Sequence, residues 1–262
     1  MSLFISSVFT YDEDAGNYIQ AVETADAQAL EPATRKAINN FVIGCKADGT
    51  WDAIKASCIL AGARTRLGAL TPLVGTAPTS FNFVDGDYNR KTGLVGDRTL
   101  VGASIKYIDS NRASNADPQD NHHLSLYATQ YVVPPNNGFF IGAGQTANGT
   151  TAIIGGPVPG ARMRSSTFNS GFSQPTVPTL IGVSRAQSSS YAYRLNQSQT
   201  SVSQLSSGVL SNNTFVFATN PSGPVKPTNA RLAFYSIGES VDLALLDTRV
   251  TDLINAFAAA IP

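Results

Sequence analysis

From Thr71 onward, the sequence consists of short runs rich in β-branched and aromatic residues, separated at regular intervals by Gly, Pro, Asn and Ser. Such runs are too short for typical helices, and their spacing is typical of a β-sandwich or a barrel. We therefore expect a mainly β, antiparallel sandwich in the larger, C-terminal part of the chain. The predicted strands are residues 80–84, 102–108, 123–133, 138–142, 179–184, 190–195, 214–219 and 230–237.

Residues 12–70 follow a different pattern, with apolar residues three and four positions apart, which predicts two or three short helices. Pro32 suits a first helical turn, and Gly49 suits a helix end. A further helix is predicted to start near Trp51, and its apolar face would pack Cys58 against the helix that contains Cys45. We expect both cysteines to be core residues.

The last segment, residues 240–261, predicts a helix with Ser240 as its N-cap. Its apolar residues form a single stripe: Leu243, Leu246, Val250, Leu253, Phe257 and Ile261. A stripe of this kind packs against another element. We expect that element to be the sandwich or the N-terminal helices, and a seam between subunits is the alternative.

Charged residues make up only 14% of the chain, against about 25% in typical soluble domains, and the formal net charge is zero. No general attraction to nucleic acid or anionic lipid follows, so neither partner is expected. The charges are unevenly placed, because residues 121–238 contain no Asp or Glu. That stretch does contain several cations: Arg162, Arg164, Arg185, Arg194, Lys226 and Arg231. The asymmetry could bring copies of the chain together, or it could reflect sparse solvated charges.

Two cysteines make neither a disulfide framework nor a metal site, so we expect a reducing compartment. The N-terminal residues lack the basic region and the small-residue cleavage site of a signal peptide. No apolar stretch reaches the roughly 18 residues of a transmembrane helix, so no membrane insertion is expected. No motif indicates a cofactor.

The motifs of common hydrolases are missing from the sequence. No G-x-S-x-G turn occurs, and residues 121–238 offer no carboxylate pair for glycoside hydrolysis. His122 and His123 are adjacent, so on a strand they would point to opposite faces, and we expect a surface pair at a strand edge. The protein is therefore not expected to be an enzyme. The alternative is a polysaccharide lyase that uses Arg112, His123 and Tyr127.

The polar loop 109–121 contains oxygen atoms that could bind calcium. The candidate ligands are Asp109, Asn111, Asp117 and Asp120. The loop departs from the EF-hand pattern, however, and Asx residues also stabilise turns. An Asx-stabilised loop without metal is the default expectation.

Aromatic rings and planar polar groups on an exposed rim are typical of sugar-binding sites. The candidates of this kind are Tyr88, Asn89, Arg112, Tyr191, Tyr193 and Arg194. Tyrosines at alternate strand positions can equally be half-buried residues of a sheet. The sequence leaves both interpretations open.

Three stretches occur in a familiar order: IGCKADGTWDAIKASCILAGART (43–65), NFVDGDYNRKTGLVGDRTLVGASIKYIDSNR (82–112) and ARLAFYSIGESVDLALLDTRV (230–250). They resemble structural proteins of tailed bacteriophages and viromes, in which a short helical segment precedes a concanavalin A-like, laminin-G-like jelly roll. The resemblance implies a helical docking segment at 1–72 and a jelly roll at 73–262 that ends in the helix 240–261. Where the family commonly has G-D-G-S-x-K-Y-L-D, this chain has a short insertion between Asp97 and Lys106, which alters the loop before that strand.

Members of that family are regarded as virion components, and the family supplies no catalytic motif. The resemblance therefore implies a virion protein, assembled in the host cytoplasm, that serves as a tail-fibre or receptor-recognition component. Its lectin-like sandwich would bind a glycan of the host surface, and its partners would be other virion proteins and further copies in a homotrimer. The alternatives are a capsid decoration (cement) protein and, third, a polysaccharide-degrading enzyme.

Overall fold

A computed structural model describes residues 10–262, in which two antiparallel β-sheets pack face to face and helices cover one of them. The helices are α1 (Glu13–Asp26), α2 (Pro32–Ala47), α3 (Arg66–Ala69) and α4 (Leu243–Ala260). Within these residues, no helix is long and apolar enough to cross a membrane. The mainly β, antiparallel sandwich predicted from the sequence is confirmed.

The first sheet, sheet A, has the strand order β14-β13-β12-β7-β16-β1-β2, and β5 pairs with both β16 and β4. Its strands are β1 (Ile54–Ile59), β2 (Pro72–Val74), β4 (Tyr88–Asn89), β5 (Gly93–Val95), β7 (His122–Gln130), β12 (Thr179–Arg185), β13 (Ser190–Leu195), β14 (Ser198–Ser203) and β16 (Arg231–Gly238). Strands β7 and β16 form the middle of the sheet.

The second sheet, sheet B, has the order β11-β10-β9-β8-β15-β6-β3. Its strands are β3 (Thr79–Phe81), β6 (Tyr107–Ala113), β8 (Gly138–Ala143), β9 (Thr151–Gly155), β10 (Gly160–Met163), β11 (Asn169–Ser170) and β15 (Asn213–Val216). Each predicted strand overlaps an observed one. The strand predicted at 102–108 begins late, because Gly102–Ser104 forms a 3₁₀ turn that starts at a left-handed Gly102 (φ 58°).

Apolar side chains from the facing sides of the two sheets fill the space between them, with Leu124 and Ile181 from sheet A and Ile108 and Val216 from sheet B. A second core lies on the other side of sheet A, where α1, α2 and α4 cover it. The predicted stripe of α4 is buried there within the same chain, as expected.

The predicted N-cap of the last helix is wrong by two residues. Asp242 is the cap, and its carboxylate accepts hydrogen bonds from the amides of Ala244 and Leu245 at 2.8 and 3.1 Å. Ser240 lies before the cap, where its own amide donates to the side chain of Asn121.

The helix predicted from Trp51 is also wrong, because residues 54–59 form β1, which pairs with β16. Part of the segment 1–72 therefore belongs to sheet A. Residues 54–58 of β1 do alternate between apolar and polar side chains, but the segment is short. Trp51, Ile54, Cys58 and Ala61 also fit the spacing of a helix, so the pattern alone does not distinguish the two structures. Cys45 and Cys58 are fully buried as predicted, but they belong to the two different cores on either side of sheet A. Burial raises the pKa of the two thiols to about 11 and about 12.

Candidate functional site

Three adjoining cavities follow the outer face of sheet B and the loops beside it. The first, of about 570 Å³, lies against β3 and β6, and it shares Gly102, Pro224 and Val225 with the second, of about 650 Å³. The second shares Asn137 and Lys226 with a third, smaller cavity of about 90 Å³. We call the three together the sheet B groove.

Aromatic rings form one end of the sheet B groove. Phe81 of β3 lies directly opposite Tyr107 of β6, and their rings stack at 4.4 Å with an angle of 7° between the planes. Phe215 of β15 extends the row, 4.6 Å from Tyr107. The alternate residues Ile108 and Val216 point into the core, so the aromatic residues face outward. Phe81 is 37% exposed, which leaves part of its ring open to a ligand.

The loop between Asp97 and Lys106 forms one wall of the groove. Asn82, in the left-handed region at φ 63°, holds this loop in place. Its side-chain amide donates to the carbonyls of Ala103 and Ile105, both at 2.8 Å. The loop is therefore ordered by a contact with the residue that follows β3.

The opposite wall is the loop 221–227. The amide of Gly223 donates to the side chain of Asn220 at 2.9 Å, and the carbonyl of Lys226 accepts from the amide of Phe139 at 2.9 Å. Lys226 has a φ of 50°, which is unusual for a residue with a side chain, and its side chain is exposed. Strain of this kind often occurs at functional sites, where the surrounding structure maintains it.

Tyr191 and Tyr193 were predicted on an exposed rim, and this is wrong, because they are only 2% and 3% exposed. Both point between the sheets from β13. Tyr193 stacks on Phe172 at 3.7 Å and borders a separate cavity of about 470 Å³ beside β14. Arg194, on the other face of β13, donates to the carboxylate of Asp247 of α4 at 2.8 Å. Burial raises the pKa of both tyrosines well above its usual range.

Tyr88 and Asn89 lie on β4 of sheet A and do not line the sheet B groove. The hydroxyl of Tyr88 donates to the carbonyl of Ala63 at 2.7 Å. The side chain of Asn89 accepts from the amides of Lys91 and Thr92 at 3.0 and 3.1 Å, an Asx turn. Their polar atoms are thus occupied by contacts within the chain.

Arg112 belongs to a buried polar cluster around Asp117, which is 1% exposed. Arg112 donates twice to the Asp117 carboxylate, the Nδ1 of His122 lies 3.1 Å from it, and Arg164 donates to the Asp117 carbonyl at 3.0 Å. Burial raises the pKa of Asp117, but its bonds to His122 and Arg112 outweigh burial and hold that pKa well below its usual range. Burial, with the nearby charge of Arg164, lowers the pKa of His122 to about 4.

The two histidines do point to opposite faces, but their predicted place at a surface strand edge is wrong. Both are fully buried on β7, between β12 and β16. His123 contacts Ser236 at 2.8 Å through Nε2 and the carbonyl of Glu239 through Nδ1. Tyr127, the third residue of the lyase alternative, is buried against the helices. Arg112, His123 and Tyr127 therefore line none of the cavities described above.

The loop considered for calcium is organised by hydrogen bonds within the chain. Asp109 accepts from the amide of Asn111 at 2.8 Å, and Asp120 accepts from the hydroxyl of Ser206. Asp117 is engaged in the cluster above. Across residues 10–262, no group of three or more His, Cys, Asp or Glu side chains could hold a metal ion.

Phe81 and Tyr107 were not among the site residues predicted from the sequence, and Lys226 was noted only as one of several cations. Strand pairing joins Phe81 to Tyr107, and the loop 221–227 brings Lys226 to the same groove. The loop after Asp97 and the absence of acids from residues 121–238 were the signals that could have indicated this surface. Each of these signals concerns a loop or a region, and neither identifies a strand partner.

No protein-family profile matches the chain, and no curated protein matches it in sequence. Among solved structures, the binding domain of botulinum neurotoxin serotype D aligns with a TM-score of 0.52 and 9% identity, over 80% of this chain and 52% of that one. Domain 4 of AbnA, an extracellular arabinanase of Geobacillus stearothermophilus solved with arabinotriose, aligns with a TM-score of 0.41 and 15% identity, over 77% and 98% of the chains. The NanB sialidase of Streptococcus pneumoniae gives 0.40 and 10%, over 51% of this chain and only 24% of its own. The likeness shows the fold: the protein is a concanavalin A-like sandwich of two antiparallel β-sheets, with helices before and after the sandwich strands.

Proposed function

We propose that the protein binds a polysaccharide through the sheet B groove. The observation that carries the proposal is the exposed Phe81–Tyr107 stack at one end of an elongated groove that also has amide and cationic side chains. Sugar rings present apolar faces that pack on aromatic rings, and hydroxyl groups that bond to amides such as that of Asn136, which lines the second cavity. Cavities in series suit successive sugars of one chain.

Binding without cleavage is part of the proposal. Glycoside hydrolysis needs a pair of carboxyl groups at the scissile bond. The residues that line the sheet B groove contain no Asp, Glu or His. Both histidines of the chain are buried away from the groove, so the lining offers recognition groups rather than a proton donor and acceptor pair.

We place this binding protein in a tailed-phage virion, as a tail-fibre or receptor-recognition component whose ligand is a glycan of the host surface. The three stretches at 43–65, 82–112 and 230–250 support this setting by their resemblance to phage structural proteins. Two free, buried cysteines suit assembly in a reducing host cytoplasm. The resemblance also supports a homotrimer.

The setting is tested by native mass from light scattering, together with retention on host cells. A trimer that remains on cells supports the receptor-recognition role. A protein that ignores cells and binds capsids instead is a decoration protein, and the tail-fibre assignment then fails.

The groove is tested on an array of bacterial surface polysaccharides with two matched variants. Phe81 and Phe172 are both phenylalanines that stack face to face on a tyrosine, but only Phe81 lines the sheet B groove. We expect Phe81→Ala to lower the affinity for the recognised polysaccharide about three- to tenfold, and Phe172→Ala to leave it unchanged. If Phe172→Ala lowered the affinity and Phe81→Ala did not, the binding site would be the cavity beside β14.

A further inference from the structure

Three cations line the half of the sheet B groove that lies away from Phe81. Arg98 and Lys226 line the second cavity, and Lys226 and Arg162 line the third. In the part of the chain that the structure describes, none of the three forms an ion pair with a carboxylate. An exposed groove with cations and no compensating acid has a positive potential that attracts anions.

Arg98 and Arg162 are held in place by contacts that leave their charge uncompensated. Arg98 donates to the carbonyl of Asn136 at 2.9 Å. Arg162 donates to the carbonyl of Ser166, and its guanidinium lies 5.4 Å from the ring centre of Phe168. Carbonyl groups and aromatic faces orient a guanidinium but carry no negative charge.

Arg162 also has an unsatisfied donor. Its Nε–H is buried and has no hydrogen-bond partner among residues 10–262. A buried donor without a partner is costly, and a buried charge without a counter-charge is more so. Burial accordingly lowers the pKa of Arg162. An anionic group in the adjoining cavity of about 90 Å³ would compensate the charge of this side chain.

The aromatic end of the groove differs from this half in its lining. The first cavity is lined by the rings of Phe81 and Tyr107 and contains no cationic or acidic side chain. A sugar ring can pack its apolar face here, whereas a carboxylate finds cations toward the other end of the groove.

We propose that the ligand is an acidic polysaccharide, whose carboxylate groups bind Arg98, Lys226 and Arg162 while an uncharged sugar face packs on Phe81 and Tyr107. The inference rests on the proposed glycan binding and adds the charge class of the ligand. Guanidinium and ammonium groups make charge-assisted hydrogen bonds to carboxylates, which are stronger than those to neutral hydroxyl groups.

Two polymers with the same sugar backbone provide the test: polygalacturonate, which carries a carboxylate on each sugar, and its fully methyl-esterified form, which is uncharged. Titration calorimetry measures the affinity for each. We expect the full chain to bind polygalacturonate about tenfold more tightly than the ester, and this ratio to shrink as salt is added. Lys226→Gln should lower the affinity for polygalacturonate about three- to tenfold and leave the ester unaffected. Glutamine, like lysine, is unbranched at Cβ, so the positive φ of this position should strain the variant no more than the unmodified protein. Lys36→Gln, an exposed lysine of α2, is the matched control and should change nothing.

The outcomes separate the two proposals. Equal affinity for the two polymers, or a Lys226→Gln protein that behaves like Lys36→Gln, overturns the acidic-ligand inference. In that case glycan binding itself stands if Phe81→Ala still weakens binding to both polymers. Binding of neither polymer by the unmodified protein, nor of any glycan on the array, overturns the proposed function. Dextran sulfate or duplex DNA could also compete with polygalacturonate equally well in the unmodified protein and in Phe81→Ala. That result would identify a general polyanion surface and would overturn the inference.

Discussion

The two outer faces of the sandwich differ, although the same strand alternation produces both. On sheet A the outward side chains include Tyr127, Leu180 and Phe234, and α1, α2 and α4 bury them. On sheet B no helix of residues 10–262 covers the outward row that contains Phe81 and Tyr107, and this row stays partly open. Large apolar residues therefore have different roles in the two places: stability on the covered face and recognition on the open one.

The covered and open sides also differ in whether their cations form ion pairs. On the covered side, cations meet carboxylates, as in Arg194 with Asp247 at 2.8 Å and Arg249 with Asp48 at 2.7 Å. On the open side, Lys226 and its neighbours in the sheet B groove have no such partners among the residues described. Ion pairs thus join α4 to β13 and to the end of α2, while cations without a carboxylate partner mark the surface that we propose binds a ligand.

The largest effect on stability is expected when an aromatic ring is removed from beneath the helices that cover sheet A. Phe257 of α4 is fully buried, so Phe257→Ala should lower the free energy of unfolding by about 3–5 kcal/mol. Leu245→Ala, on the exposed side of the same helix, should cost less than about 1 kcal/mol. Urea denaturation measures both. Equal losses would show that α4 does not stabilise sheet A.

A lower pH should reduce the stability of the folded chain through its buried histidines and should leave ligand binding in the groove unchanged. The folded pKa of both His122 and His123 is about 4, lowered chiefly by burial, against 6.5 for an ordinary histidine. Between these values the unfolded chain binds more protons than the folded one, so the free energy of unfolding falls as the pH falls. The expected loss from pH 7 to 5 is about 2 kcal/mol per histidine. Arginine and lysine do not titrate in that range, so glycan affinity should stay constant while the free energy of unfolding falls. If affinity and stability fell together, the groove would not be independent of the buried histidines.

An ion pair on the covered face should have a smaller effect. Asp247 and Arg194 are 5% and 11% exposed in their side chains, and they join α4 to β13. Asp247→Ala should lower the free energy of unfolding by about 2 kcal/mol, since it leaves a mostly buried guanidinium unpaired. Glu239→Gln, which removes the exposed partner of Lys55, provides the comparison and should cost less than about 0.5 kcal/mol by the same denaturation.

The smallest stability effect is expected on the open face. Phe81→Ala removes the same side chain as Phe257→Ala, yet it should cost only about 1 kcal/mol, chiefly the ring pair with Tyr107. Thermal unfolding would show this small shift, and the array would show the larger loss of binding. If Phe81→Ala were as destabilising as Phe257→Ala, the open face would be part of the core.

The sequence predicted those elements whose pattern reflects a single buried face. The stripe of α4 and the strands that follow Thr71 are of this kind. It failed at β1, because the apolar residues of this short segment fit the spacing of a helix as well as that of a strand. It placed His122 and His123 at the surface because the order of strands in a sheet cannot be read from the pattern of one strand. The candidate tyrosines of β13 alternate correctly, but alternation does not tell which face is inside. Phe81 and Lys226 come from distant segments, and only the sheet order brings them together.

The loop 98–105 is joined to its neighbour through the side chain of Asn82, and Val101 at its tip is 78% exposed. Exposed loops tolerate changes of length and sequence at little cost to folding. One wall of the groove can therefore change in length and sequence while the sandwich beneath it stays constant. A single scaffold could in this way acquire a different ligand through this loop alone.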